Sequence, residues 1–125
     1  GVDTLNVIIE NSNGTNPLAF PGAAISNVEV FNVRNVEGAG AALTINAANF
    51  AGETEVNSDR SANTVTITNL GTGAAAGIIG NGSGGNGALN FGYATASAAA
   101  TLNVRDGAGV TAQPASCRAS SGSRS

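Results

Sequence analysis

The side chains able to do chemistry in this 125-residue chain are few: eight carboxylates, five basic residues, one cysteine and no histidine. All five basic residues are arginines (Arg34, Arg60, Arg105, Arg118 and Arg124), so lysine is absent as well. That removes every Ser-His and Cys-His nucleophile pair and the lysine of a phosphate-binding loop. Carboxylates remain. Glu53 and Glu55, two apart, would share one face of a strand and could act as an acid/base pair, but their polar flanks suit two solvated side chains near a turn. Asp3, Asp59 and Asp106 offer hard oxygen ligands, which is calcium chemistry, although a calcium ion takes about six to eight oxygens and most would have to be carbonyls.

Two motifs sharpen these options. Gly1-Val2-Asp3-Thr4-Leu5 fits the second half of the G-G-x-G-x-D-x-L-x nonapeptide that binds Ca²⁺ between coils; Gly84-Gly85-Asn86-Gly87 supplies the opening of another copy, with Leu89 where its aspartate belongs. Thr72-Gly73-Ala74-Ala75-Ala76-Gly77-Ile78-Ile79-Gly80 resembles the TGxxxGxG loop of short-chain dehydrogenases. The residues that follow, Asn81-Gly82-Ser83-Gly84-Gly85-Asn86-Gly87, cannot supply the helix whose amino terminus would hold a phosphate, since each interior glycine costs about 1 kcal/mol. No organic cofactor is expected, calcium being the one candidate, and the chain reads as no enzyme.

Such residues need a scaffold, and the scaffold signal is β. Branched or aromatic residues recur two apart at Leu5, Val7 and Ile9; Val28 and Val30; Leu43 and Ile45; Val65 and Ile67; Leu89, Phe91 and Tyr93; and Leu102 and Val104. After Val30 the phase slips to Phe31 and Val33, which a bulge or a solenoid corner would absorb. Breakers lie at 11–17, 21–22, 37–40, 57–63 and 71–87. Thr4-Leu5-Asn6-Val7 reappears as Thr101-Leu102-Asn103-Val104, a weak internal repeat.

An apolar fraction of 42% with only 4% aromatics implies a thin core. A parallel β-solenoid fits that core and the scarcity of hairpin turns; an antiparallel β-sandwich is the alternative. Residues 1–110 read as a single β domain or a fragment of a larger surface protein, and 111–125 as a Ser/Arg-rich tail or linker holding Cys117, an incidental thiol or an intermolecular one. The net charge of −3 with scattered arginines gives no reason to expect nucleic acid. Gly1 to Ile9 lacks the basic and apolar regions of a signal peptide, and no run is long enough for a membrane helix, so no membrane insertion is expected.

Ile25-Ser26-Asn27-Val28-Glu29-Val30-Phe31-Asn32-Val33 resembles the (V/I)SNVE-x-(V/F/I)NV element of bacterial surface-layer (S-layer) proteins and of large secreted β-strand-repeat proteins related to RTX-type exported proteins. Asp3-Thr4-Leu5-Asn6-Val7 before it, and Leu43 to Phe50 and Asn63 to Leu70 after it, extend the likeness over residues 3–104. The resemblance implies export, an extracellular place at the cell surface, and a non-catalytic structural subunit that assembles with copies of itself into a layer or filament, with calcium as a possible requirement. Uncharged faces rich in Asn and Thr suit the same role, because strand edges without charges invite contact. The alternative is a segment of a secreted adhesin whose loop 71–87 binds a cell-surface polysaccharide or another surface.

Overall fold

The computed structural model describes residues 1–10, 18–19, 24–36, 42–80, 86–96 and 99–106. The expected tail at 111–125, with Cys117, lies outside the described residues, as do Phe20 and the glycines Gly84 and Gly85.

The strands are β1 (Thr4–Ile9), β2 (Leu18–Ala19), β3 (Ile25–Ser26), β4 (Val30–Asn35), β5 (Leu43–Asn46), β6 (Phe50–Ala51), β7 (Glu55–Asp59), β8 (Val65–Leu70), β9 (Ala75–Ile79), β10 (Leu89–Tyr93) and β11 (Leu102–Arg105). They form three sheets: A in the order β1-β4-β7-β9-β11, B in the order β10-β8-β5-β2, and C from β3 and β6. Every pairing among the described residues is parallel. Parallel neighbours cannot be joined by a tight hairpin, so the chain must leave the sheet and return. Here it returns through the other sheets, which makes a β-solenoid and rules out the antiparallel sandwich.

Register fixes the coil length. Thr4 pairs with Val30, Val30 with Glu55, Glu55 with Ala75 and Ala76 with Leu102, giving coils of 26, 25, 20 and 26 residues. Alternation decides which side chains enter the coil. Phe31 and Val33 point in from sheet A, Leu43, Ile45, Val65, Ile67 and Leu70 from sheet B, and Phe50 from sheet C, all buried in one cluster. The rings of Phe31 and Phe50 stack at 4.0 Å and 8°, filling the corner where sheets A and C meet with two of the chain's few bulky groups.

The phase slip after Val30 is a corner. Asn27 adopts φ 62, a left-handed conformation that asparagine tolerates, and the chain turns from β3 into β4 there. Val28 then packs against the core from outside any strand, while β4 starts a new phase with Phe31, Val33 and Asn35 inward. A second corner, after β7, is closed by polar groups: Ser58 Oγ donates to Ser61 Oγ at 2.9 Å, and Ser61 Oγ accepts from the Asn35 backbone N–H at 3.0 Å.

Two segments read as breakers contain strands. Asn57, Ser58 and Asp59 belong to β7, and Ala75–Ile79 within 71–87 is β9. Tertiary pairing overrides local propensity in both, since each strand is hydrogen-bonded on two sides within sheet A.

Replacing Phe31 by Ala is expected to lower unfolding free energy by about 3–5 kcal/mol. The exposed Thr44→Ala should change it by less than about 0.5 kcal/mol. Urea unfolding followed by circular dichroism checks both, and equal losses would contradict the inward placement of Phe31.

Candidate functional site

The outer face of sheet A gathers most of the polar chemistry. In-register parallel pairing stacks Asn6, Asn32, Asn57, Gly77 and Asn103 in one column. Parallel neighbours are about 4.8 Å apart, close enough for like amides to bond one another. Asn32 Nδ2 donates to Asn6 Oδ1 at 2.8 Å, and Asn57 Nδ2 donates to Asn32 Oδ1 at 2.8 Å. The ladder therefore has a direction, with each NH₂ group aimed at the β1 end.

Gly77 interrupts it. A Cβ at this position would lie 1.9 Å from Asn57 Oδ1 and 3.2 Å from Glu55 Oε2, so the strand there must be glycine to pass under those side chains. Asn57 is 1% exposed, and its Oδ1 is a buried oxygen without a hydrogen-bond partner. Beyond the gap Asn103 Nδ2 donates to Glu55 Oε2 at 3.0 Å, and Arg105 Nη1 meets the same oxygen at 2.7 Å. This contact raises the Arg105 pKa, first through the hydrogen bond to Glu55.

Asp59 is the second charged centre. Arg60 holds it with two parallel bonds, Nε to Oδ1 at 2.8 Å and Nη2 to Oδ2 at 3.2 Å, while Arg34 Nη2 lies 3.6 Å from Oδ2. The Arg60 hydrogen bond, opposed by burial and aided by both guanidinium charges, holds the Asp59 carboxyl below its usual pKa. Around it lies an open groove of about 750 Å³ whose wall includes Asn32, Asp59, Arg60, Ile79 and Asp106.

Of the three aspartates expected to bind calcium, Asp59 and Asp106 lie together on that groove, at the carboxy-terminal ends of β7 and β11. Asp3 precedes β1 at the other end of the parallel strands, and its backbone N–H donates to Glu29 Oε2 at 2.7 Å. Asp3 therefore belongs to a different locus. Among the described residues no group of three or more Asp, Glu, Cys or His side chains is placed to hold a metal ion.

The acidic pair is divided too. Glu53 precedes β7 and its Oε2 accepts from the Gly71 backbone N–H at 3.1 Å, whereas Glu55 serves Asn103 and Arg105. Glu53 ties neighbouring coils together, and Glu55 reaches past β9 to the coil beyond it. The glycine-rich 72–80 segment runs into strand β9 and not into a helix, so it presents no helix amino terminus to a phosphate.

Sequence reasoning missed the asparagine ladder. Its signal was present in the spacing of Asn6, Asn32 and Asn57, which equals the coil length, but that length becomes legible only once the strands are paired.

Comparisons with protein-family models, with curated proteins and with solved structures return no match.

Gly77→Ala is expected to destabilise the fold by about 1–3 kcal/mol, and Asn57→Ala in the same chain should restore part of that loss. A double-mutant cycle in urea measures the coupling; additive losses would mean the close approach carries no energy. The depressed Asp59 pKa adds stability that is present above the unfolded carboxyl value of about 3.9 and is lost as pH falls through the lower folded value. Asp59→Asn should therefore flatten the fall in melting temperature below about pH 4, and an unchanged acid profile would remove Asp59 from that role.

Proposed function

We propose that this chain is a non-catalytic structural subunit that assembles with copies of itself into an extracellular surface layer or filament. The observation that carries the reading is the parallel sheet A, whose order among the described residues ends in β1 and β11: edge strands with no further described strand beside them, in a chain without lysine, are a template for further strands. Two of the exposed large apolar side chains, Ile8 (63%) and Val104 (48%), lie on those edge strands. The likeness of residues 3–104 to surface-layer and secreted β-strand-repeat proteins supports the same role and an extracellular location. The chain has no histidine or lysine, and Glu53, Glu55 and, through Arg34, Asp59 brace the coils, which favours structure over turnover.

A second reading is favoured by the groove beside Asp59. Amide, carboxylate and guanidinium groups around the apolar Ile79 offer the mixed surface that a sugar ring uses, so an adhesin segment would bind a glycan there. The described part of loop 71–87 is a poorer platform, because Ala74 to Ile78 are buried. No described helix is long and apolar enough to cross a membrane.

Negative-stain microscopy with sedimentation velocity, in calcium and in chelator, distinguishes the readings. Sheets or filaments in either condition are the expected result, and their dependence on calcium reports whether the aspartates matter. Monomer at every concentration, together with retention on a glycan array that Asp59→Asn abolishes, would move the function to adhesion.

A further inference from the structure

The two edge strands of sheet A, β1 and β11, carry the same tetrapeptide, Thr4-Leu5-Asn6-Val7 and Thr101-Leu102-Asn103-Val104. The intervening register places the copies in the same columns. Leu5 runs through Phe31, Val56 and Ala76 to Leu102, and Val7 through Val33, Ser58 and Ile78 to Val104. A second copy laid with its β1 against β11 would meet leucine with leucine and valine with valine, each on the inward face. Any one-residue slip would turn these side chains outward.

The asparagine column makes the two edges complementary as well as alike. Because Asn6 Oδ1 accepts from Asn32, the Asn6 NH₂ group is turned toward the open side of β1. Asn103 donates its NH₂ to Glu55, which leaves its Oδ1 as an acceptor at β11. One edge offers a donor and the other an acceptor in the same column. Val104, an inward-column residue, is half exposed because no further strand among the described residues covers it.

We infer that these edges are two halves of one interface: β11 of one copy pairs in parallel with β1 of the next, and Asn6 Nδ2 donates across the joint to Asn103 Oδ1. The inference rests on the self-assembly reading and names its contact. A head-to-tail joint between unlike edges is heterologous and propagates as an open filament. Five strands per copy at about 4.8 Å give an axial repeat on the order of 24 Å along sheet A.

Paired cysteines test the joint in the full chain with Cys117→Ser. Thr4 and Thr101 are exposed and precede Leu5 and Leu102, so they fall in one column across the joint, at a spacing of about 5 Å that a disulfide can bridge. Thr4→Cys and Thr101→Cys chains, mixed and mildly oxidised, should give a mixed dimer, while each alone stays monomeric on a non-reducing gel. The double variant should give a ladder of higher multimers. Opposite charges at the exposed Ile8 provide a second readout, because it shares its column with Arg105: Ile8→Lys should raise the onset concentration for assembly by up to about fivefold and Ile8→Glu should not, with the melting temperature of each variant measured because Ile8 also pairs with Arg34 of its own chain. Assembly without mixed cross-links, or indifferent to Ile8→Lys, overturns this interface and leaves the structural-subunit reading standing. Monomer by sedimentation at all concentrations overturns that reading itself.

Discussion

Parallel, in-register stacking is the constraint on which the rest of this molecule depends. Once Thr4 pairs with Val30 and Val30 with Glu55, each side chain in sheet A sits above the one a coil earlier, and its neighbours are set 20 to 26 positions away. A column must then hold residues that tolerate one another at about 4.8 Å. Inward columns do so with aliphatic side chains and the Phe31–Phe50 stack, and the central outward column does so with amides that donate to one another. Gly77 obeys the same rule, since it is the residue that leaves room for Asn57 and Glu55.

The charged residues sit at corners and between coils. Arg60 takes φ 53 directly after β7, and its guanidinium folds back on Asp59, the last residue of that strand. Arg105 reaches from β11 to Glu55 at the start of β7, two strands away in the sheet. Glu53 braces the backbone at Gly71, and the Tyr93 hydroxyl donates to the Ala74 carbonyl while accepting from the Thr101 N–H. Glu53, Glu55 and Tyr93 each tie one coil to another, and Asp59 does so through Arg34. Stability in such a solenoid is built from repeats and their nearest-neighbour contacts.

Which parts of this were legible in the chain follows from range. Alternation at Leu5, Val7 and Ile9, at Leu43 and Ile45, and at Leu89, Phe91 and Tyr93 located β1, β5 and β10, because period-two burial is a local property of any strand with one face in a core. Scarce aromatics pointed to a thin core, and the slip at Val30 and Phe31 pointed to a bulge or a corner, of which the structure has the corner. The residues of β7 and β9 resisted that reading: Asn57-Ser58-Asp59 and Ala75-Ala76-Gly77 have turn-like or small side chains, and they are strands because sheet A bonds them on both sides.

The sequence by itself determined the class of the fold, the inward faces of the longer strands and the absence of histidine and lysine, all of which depend on residue type and short-range pattern. The tertiary structure alone decided that the strands run parallel, that Asp3 stands apart from Asp59 and Asp106, and that Asn6, Asn32 and Asn57 form one ladder. Those facts depend on coil length, and coil length is set by how loops of unequal size, 20 residues in one coil and 26 in others, bring distant segments into a common register.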